Sequence, residues 1–216
     1  MRDNFIFDSS LVLYLPLYQL DGASFMSRDA YGHLCTVNGA IWTLQGRNFD
    51  GTDDYGVITH QAGINVGNDF TILAWINPEN LSDRHAIFSE RNGGASSAWQ
   101  LEVGPGNSHT AVVAVSSAGH WDHETVNNAV VPNTPNFIAF TKTGTSGLIY
   151  VNAVLQVLQT DSPITYANNT DDKVFGASTT TSVFFKGVII AIYISNRVLT
   201  PLEIQHNYEA TKWRYK

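Results

Sequence analysis

The densest group of potentially reactive side chains is the run His120, Trp121, Asp122, His123 and Glu124. Imidazoles and carboxylates this close together could ligate a transition metal. The spacing matches no recognised zinc pattern, and on a regular strand His123 would face away from the other polar residues of the run. A metal site would therefore need a loop here, or additional histidine ligands. The other candidate histidines are His33, His60, His85 and His109.

The same run suits a recognition surface better than a metal site. An aromatic ring flanked by hydrogen-bonding groups can stack on a sugar or fill a protein pocket. The residues of this candidate ligand-binding surface are His120, Trp121, Asp122 and His123. The alternative is a polar loop or an exposed strand edge whose tryptophan is anchored in the core. Trp121 and Trp213 are expected to be exposed, since the remaining tryptophans fall within strand patterns. Those are Trp42, Trp75 and Trp99.

The charge balance excludes one large class of partners. The formal net charge is −7, from 12 Lys+Arg against 19 Asp+Glu. A nucleic-acid-binding surface needs a positive stripe that displaces counterions from phosphates, so we predict no nucleic-acid partner. The sequence also lacks a Ser-His-Asp arrangement, a Gly-rich phosphate loop and a cysteine metal set. The lone Cys35 cannot form an internal disulfide.

The sequence predicts a protein that does not insert into a membrane. Its first residues lack the charged-then-apolar pattern of a secretory signal. The longest aliphatic stretch, residues 188–194, is far too short to span a bilayer. We expect a soluble protein without a signal peptide, or an extracellular one if the native start is missing.

Apolar residues at every second position recur along the chain and predict β-strands. Residues 11–17, 70–76 and 99–103 alternate in this way. Turn pairs such as Asn38-Gly39 separate the alternating runs. Strands this closely spaced, without helical periodicity between them, predict antiparallel pairing. Further strand-like runs lie at residues 111–115, 137–141, 148–151 and 184–194.

The last predicted strand is apolar on both faces. Ile189 and Tyr193 make one face apolar. Such a strand is either covered twice or meets a partner protein with its outer face. The residues expected together on the opposite face are Val188, Ile190, Ile192 and Ile194.

One helix is predicted near the C-terminus. Thr200 is a candidate capping residue, Pro201 suits the first helical position, and Glu203 would complete a capping box. Ile204 and Tyr208 lie four residues apart and form a short apolar stripe that would pack on the sandwich.

Together these elements predict an all-β fold, namely a two-sheet antiparallel jelly-roll sandwich with one short C-terminal helix over residues 201–212. The chain has 216 residues, of which 44% are hydrophobic and 14% charged, so it can bury one sizeable core. No linker, repeat or low-complexity tract divides it. We therefore predict a single domain over residues 1–216.

Several blocks of this sequence resemble the laminin-G-like jelly rolls of the concanavalin-A-like lectin/glucanase superfamily. They occur in the family's order and cover about residues 11–210. The resemblance implies the fold rather than the function, because this superfold hosts lectins, glycosidases, adhesion modules and viral structural proteins. The blocks are 11–17 (LVLYLPL), 48–55 (NFDGTDDY), 70–76 (FTILAWI), 147–152 (GLIYVN), 185–187 (FKG) and 192–204 (IYISNRVLTPLEI).

The resemblance also implies a candidate metal site. Many members of the superfamily bind a structural calcium, partly through an acidic pair just after the glycine that Gly187 matches. Here the stretch after Gly187 has no carboxylate. Asp50, Asp53 and Asp54 could still supply some of the six to eight oxygens that calcium takes. They are the candidate ligands of a structural calcium.

The glycosidases of the superfamily imply a second test of function. They carry catalytic carboxylates on one strand as Glu-x-Asp-x-x-Glu or a close variant, and glycoside hydrolysis needs two carboxylates across a cleft. No such run occurs here. Glu102 is isolated on its predicted strand, where we expect a solvated outward side chain. We therefore predict that the protein is not an enzyme.

Two non-catalytic functions fit these observations. The first is a virion-surface structural protein, such as a phage capsid decoration or attachment protein, with protein partners that include copies of itself. The apolar residues on both faces of the 184–194 strand favour this interpretation. The alternative is a carbohydrate-binding lectin module that recognises a cell-surface glycan, with Trp121 as its aromatic platform.

Overall fold

Antiparallel pairing of the alternating segments builds two sheets in the computed structural model of this protein. The structure describes residues 5–90, 98–105, 112–117, 120–163, 165–166 and 170–214. Of the residues, 48% lie in strands and 9% in helices. This confirms the predicted all-β sandwich with one short C-terminal helix. The predicted residues His109 and Ala111 lie outside the described part of the chain. No helix within it is long and apolar enough to cross a membrane.

The strands, in chain order, are β1 (Leu11–Pro16), β2 (Ser24–Met26), β3 (Leu34–Asn38), β4 (Ile41–Thr43), β5 (Gly46–Asp50), β6 (Tyr55–Ile58), β7 (Phe70–Pro78), β8 (His85–Ser89), β9 (Trp99–Gly104), β10 (Val112–Ser117), β11 (His120–Thr125), β12 (Asn136–Thr143), β13 (Ser146–Val151), β14 (Val154–Leu155), β15 (Leu158–Asp161), β16 (Lys173–Phe175) and β17 (Lys186–Ser195). The helix α1 is Pro201–Thr211, and 3-10 turns lie at Ala62–Ile64 and Lys212–Arg214.

The two sheets have different strand orders. The eight-stranded sheet runs β14-β13-β12-β7-β17-β5-β4, and β1 pairs with β17 beside β5. The nine-stranded sheet runs β15-β11-β10-β9-β8-β16-β6-β3-β2. The closing strand β17 is therefore central, because it pairs with β7 on one side and with both β1 and β5 on the other.

The core lies between the sheets and follows the predicted alternation in β7 and β9. Phe70 and Ile72 of β7 point into it, and the ring of Phe70 stacks 4.7 Å from the ring of Trp99. Leu73 and Trp75 point to the opposite face of β7 and join a second apolar cluster. Period-two alternation therefore placed these side chains correctly.

The second apolar cluster lies between the eight-stranded sheet and α1. The ring of Tyr208 stacks 5.7 Å from the ring of Trp75, and Ile204 is fully buried. The Trp75 indole Nε1 donates a hydrogen bond of 2.9 Å to Thr211 Oγ1. The predicted apolar stripe thus packs on the sheet, and the helix ends at Thr211, one residue before its predicted end.

A bulge in β17 corrects the predicted arrangement of its side chains. The pairing of β17 with β7 shifts between Ile189 and Ala191. Ile190 and Tyr193 consequently lie in the cluster under α1, whereas Ile189 and Ile192 lie in the core between the sheets. The prediction that Ile190 and Ile192 share a face is wrong. Since Ile190 and Tyr193 of the outer face are buried within the chain, their apolar character does not require a partner protein.

The first strand is bulged in the same way. Its pairing with β17 shifts between Leu11 and Leu13, so Val12 joins the core between the sheets and Leu11 joins the outer cluster. Leu13 and Leu15 point inward as predicted, and Tyr14 points outward and stacks on an aromatic ring of β17. One extra residue reverses the alternation on one side of a bulge.

Candidate functional site

A third bulge divides the polar run that the sequence singles out. The backbone of His120 begins β11, and Trp121 lies opposite Ser116 of β10. His123 lies opposite Val115, so the register shifts between these two pairs and Asp122 is the extra residue. The predicted facing of the run, which assumed a regular strand, is wrong. The described side chains separate into an interior pair, Asp122 and His123, and a different pair on the outer face, Trp121 and Glu124.

The interior pair is buried at the edge of the core. His123 is fully buried, its Nδ1 lies 2.9 Å from Asp161 Oδ1, and its ring lies 5.4 Å from the ring of Phe140. Asp122 accepts a hydrogen bond of 3.3 Å from the Tyr166 hydroxyl, which also packs in the core. These two side chains therefore do not present a surface to a ligand.

Burial also sets the protonation of the interior histidine. Desolvation lowers the pKa of His123, although the hydrogen bond to the Asp161 carboxylate opposes this change. A Cβ atom added at Gly147 would lie 2.8 Å from His123 Nε2, so a larger residue at this position would clash with the imidazole. The position of His123 is thus explained by packing.

Trp121 of the outer-face pair belongs to a set of side chains joined by Arg84. The guanidinium of Arg84 lies 4.6 Å from the centroid of the Trp121 ring. Its Nε and Nη2 donate to the Glu102 carboxylate at 3.0 and 2.7 Å. Glu102 is fully buried, whereas 37% of the Arg84 side chain is exposed. The expectation that Glu102 is a solvated side chain is wrong, because this ion pair covers it.

Arg84 also lines a polar pocket of about 480 Å³ beside the same face. Asp50 and Lys186 lie on its other side, where they pair across β5 and β17. We call Trp121 and the polar residues of this pocket the Arg84 surface. The polar residues are Asp50, Thr52, Asn80, Ser82, Asp83, Arg84, His85 and Lys186. The surface brings together two groups that the sequence predicts separately, Trp121 and the turn that follows β5.

The turn after β5 holds the predicted calcium ligands close together. Carboxylate oxygens of Asp50, Asp53 and Asp54 all lie within 4.8 Å of one another. Asp54 is buried, and desolvation raises its pKa. Backbone groups already use part of this set, since the Asp50 amide donates to Asp54 Oδ2 at 2.9 Å. The cluster offers three carboxylates to a cation, and the closing strand adds the cation Lys186 opposite Asp50 instead of a further carboxylate.

Two buried glutamates share the outer face of the nine-stranded sheet. Glu102 of β9 and Glu124 of β11 both lie opposite Ala114 of β10, so their side chains project to the same side. Glu124 accepts a hydrogen bond of 3.4 Å from Thr160 Oγ1. Its Oε1 has no hydrogen-bond partner within the described part of the chain.

Sequence reasoning missed Arg84, which connects the parts of the candidate site. The residue belongs to no motif, and it is 18 residues from Glu102 and further still from Trp121. Only the pairing of β8 with β9 brings it to Glu102. The one sequence signal that pointed to Arg84 was Glu102, an acidic residue at an outward position of β9. A buried carboxylate needs a charged or hydrogen-bonding partner.

Comparisons with known proteins add a family and a set of similar folds. A laminin-G family model of the concanavalin A-like lectin/glucanases superfamily matches residues 50–205. No curated protein matches the chain. Several solved structures do.

Three of these structures differ in how much of their own chain the match covers. Domain 4 of AbnA, an extracellular arabinanase from Geobacillus stearothermophilus in complex with arabinotriose, has a TM-score of 0.68 at 14% identity, covering 92% of this chain and 98% of that one. Trypanosoma rangeli sialidase has a TM-score of 0.70 at 14% identity, with 97% and 34% covered. The botulinum neurotoxin serotype D binding domain has a TM-score of 0.65 at 14% identity, with 94% and 52% covered.

These identities show similarity of fold alone. The chain spans nearly all of the arabinanase domain, about half of the toxin binding domain and about a third of the sialidase chain. The family model covers well over half of the present chain and contains both Asp50 and the capped helix start. The protein therefore belongs to the concanavalin A-like lectin/glucanases superfamily.

Proposed function

We propose that this protein is a non-catalytic carbohydrate-binding domain and that its ligand site is the Arg84 surface. The observation that carries the proposal is the position of Arg84, which contacts the Trp121 ring and lines the polar pocket that includes Asp50. Sugar sites combine an aromatic ring, which packs against the apolar face of a sugar, with convergent polar groups that bond its hydroxyls. The Arg84 surface has both.

The charges of the pocket fit a hydroxyl-rich ligand. Asp50 and Asp83 offer carboxylate acceptors, and Arg84 and Lys186 offer donors. Neighbouring hydroxyls of a sugar both donate and accept, so each can pair with one group of either kind. The Arg84 guanidinium donates two hydrogen bonds to the Glu102 carboxylate. Because these bonds fix the orientation of the Arg84 side chain, its donor groups are in place before a ligand binds.

The comparisons support carbohydrate binding over the virion-surface interpretation. The solved arabinanase domain holds arabinotriose, and the sialidase structures hold sialic acid or its fluorinated analogue. The apolar face of β17, which favoured assembly, is covered by α1 in this structure. The comparisons give the virion-surface interpretation no support.

A specific observation favours one second candidate, a glycoside hydrolase. Glu102 and Glu124 lie on either side of Ala114, so their backbones are about 9.6 Å apart at two strand spacings. Glycoside hydrolysis needs two carboxylates across a cleft, and these two side chains project to the same face of the sheet. We prefer carbohydrate binding because both glutamates are fully buried and the Glu102 carboxylate is engaged in an ion pair with Arg84. Release of reducing sugar from a polysaccharide, abolished in Glu124→Gln, would establish hydrolysis and overturn our preference.

A glycan array followed by calorimetry tests the proposed function. We expect the full chain to bind specific glycans. We also expect Trp121→Ala to lower the affinity for the ligand that binds best at least tenfold. The ring is partly buried against Arg84, so this variant should lose only about 1 kcal/mol of unfolding free energy.

The matched control is Tyr31→Ala, which removes an exposed aromatic ring outside the Arg84 surface. It should leave glycan affinity unchanged. A silent array, or binding that persists equally in Trp121→Ala and Arg84→Lys, would reject the Arg84 surface as the ligand site.

A further inference from the structure

A second groove lies on the outer face of the eight-stranded sheet, next to the strand ends that carry Asp50 and Lys186 of the Arg84 surface. It has a volume of about 750 Å³ and lies where the C-terminal 3-10 turn passes over β5, β7 and β17. Its lining includes Tyr18, Asn48, Asn77, Val188 and Trp213. None of these residues lines the polar pocket of the Arg84 surface.

One wall of the groove is an exposed aromatic ring. Trp213 is 52% exposed, and its Nε1 donates a hydrogen bond of 2.7 Å to Ala210 at the end of α1. The Arg214 guanidinium lies 5.1 Å from the Trp213 ring and 4.9 Å from the Tyr18 ring. These contacts hold the ring in place while leaving about half of it open to a ligand.

The floor of the groove carries a line of amides. Asn48 of β5 and Asn77 of β7 both lie opposite Val188 of β17, so the three side chains cross the sheet in one row. Asn48 is exposed, and Asn77 Oδ1 is a buried acceptor without a hydrogen-bond partner among the described residues. Each amide can donate and accept, which matches the paired donor and acceptor character of sugar hydroxyls.

The charge of the lining restricts the ligand. Arg214 is the one charged residue that lines the groove in the described part of the chain, and it already donates to the Tyr18 hydroxyl. The remaining polar lining is neutral and comes from amide and hydroxyl side chains. A cationic ligand would lack a counter-ion here, whereas an uncharged polyol would lose no ionic partner on binding.

We propose that this groove is a second glycan-binding site and that it takes a neutral oligosaccharide, which stacks on Trp213 and bonds to Asn48 and Asn77. The class of ligand rests on the proposed function, but the site does not depend on the Arg84 surface. Its volume is within the about 300–1,000 Å³ of small-molecule sites.

The experiment uses the full chain labelled with 5-fluorotryptophan. Its five tryptophans give separate fluorine NMR signals, which single Trp→Phe variants assign. The probes are arabinotriose, xylotriose, cellotriose and maltotriose, each titrated to 20 mM. We expect at least one of them to shift the Trp213 signal saturably. We also expect Asn77→Ala to weaken that titration at least fivefold, while Asn196→Ala, an exposed asparagine outside the groove, leaves it unchanged.

The two tryptophan signals separate the two proposals. A shift of Trp213 that persists in Trp121→Ala supports the groove, whatever happens at the Arg84 surface. Shifts of Trp121 without Trp213 would overturn the groove and leave the proposed function standing. No shift of either signal with any probe would overturn the groove, and a silent glycan array would be needed to reject the Arg84 surface as well. A Trp213 signal that moves with protein concentration and ignores sugar would identify a second copy as the occupant and would also overturn the proposal.

Discussion

The Arg84 guanidinium and the Glu102 carboxylate form a two-pronged ion pair on the outer face of the nine-stranded sheet, with Nε–Oε2 and Nη2–Oε2 distances of 3.0 and 2.7 Å. Glu102 is fully buried, so its carboxylate requires a positively charged partner that donates more than one hydrogen bond to it. The planar fork of arginine meets this requirement better than the single ammonium of lysine. The same pairing fixes Arg84 against the ring of Trp121.

Arg84→Lys should therefore cost stability even though it conserves the charge. We expect a loss of about 1.5–3 kcal/mol in the free energy of unfolding, because the buried carboxylate of Glu102 loses a charged hydrogen bond. Urea unfolding measures this loss. Arg28→Lys, at an exposed arginine, is the control and should be neutral. Equal stability of the two variants would mean that Glu102 does not depend on the arginine fork.

Acidification should destabilise the protein through His123. Burial lowers the pKa of the folded-state imidazole below its ordinary value of 6.5, so the unfolded chain takes up this proton first as the pH falls. The stabilisation is fully present above pH 6.5 and is lost as the pH falls through the lowered pKa. In urea unfolding between pH 7.5 and pH 5, His123 should contribute a slope in this direction, and Glu90, whose pKa burial raises to about 7, should contribute one of opposite sign.

His123→Gln should make that slope shallower without abolishing it, because burial also lowers the pKa of His85. The matched control is His206→Gln, at an exposed histidine on α1, which should keep the wild-type slope. An unchanged slope in His123→Gln would show that the buried imidazole does not control the acid response.

Calcium should leave the melting temperature unchanged. The three carboxylates of the turn after β5 lie close together, but Lys186 stands opposite Asp50, and backbone amides already donate to Asp50 and Asp54. Differential scanning fluorimetry in EDTA and in 5 mM calcium chloride measures the effect, since a bound ligand stabilises the folded state.

Asp54→Asn distinguishes a metal site from a plain turn. Without a metal, this variant removes a buried charge that lies beside two others, so the melting temperature should stay the same or rise. A calcium-dependent rise in the wild type that disappears in Asp54→Asn would establish the metal site and contradict our expectation.

The capping box should contribute measurably to the packing of α1. Thr200 Oγ1 accepts a hydrogen bond of 3.3 Å from the Glu203 amide, and Glu203 Oε2 accepts one of 2.8 Å from the Thr200 amide. Thr200→Ala should lower the free energy of unfolding by about 1 kcal/mol. Thr200→Ser keeps the hydroxyl and should retain wild-type stability, and a loss of equal size in both variants would show that the cap is not the cause.

Local sequence determined the parts of this fold that depend on neighbouring residues. Strand alternation placed Phe70, Ile72 and Trp99 in the core, because side chains on a strand alternate whatever the strand pairs with. The capped start of α1 was equally readable, since the capping box joins Thr200 and Glu203, which are only three residues apart in the chain. The exposure of Trp213 also agreed with its place outside any strand pattern.

Only the tertiary structure decided where the alternation reverses. Bulges at Ile190 and Val12 each insert one residue into a pairing with a strand that is distant in sequence, and the bulge at Asp122 inserts one into the pairing with the preceding strand β10. No local feature of the sequence requires them. The bulge at Asp122 is the reason that the predicted recognition surface does not hold together, since it turns Asp122 and His123 inward and leaves Trp121 outside.

The candidate site depends on the same non-local pairing. Arg84, Glu102 and Trp121 come from three strand regions, and they meet because β8, β9, β10 and β11 are neighbours in one sheet. Sequence patterns report the period of one strand at a time, whereas the register between strands is fixed by hydrogen bonds and packing across the whole sheet. The sequence by itself therefore determined the kind of fold and its individual elements, and the pairing of those elements decided which side chains form a site.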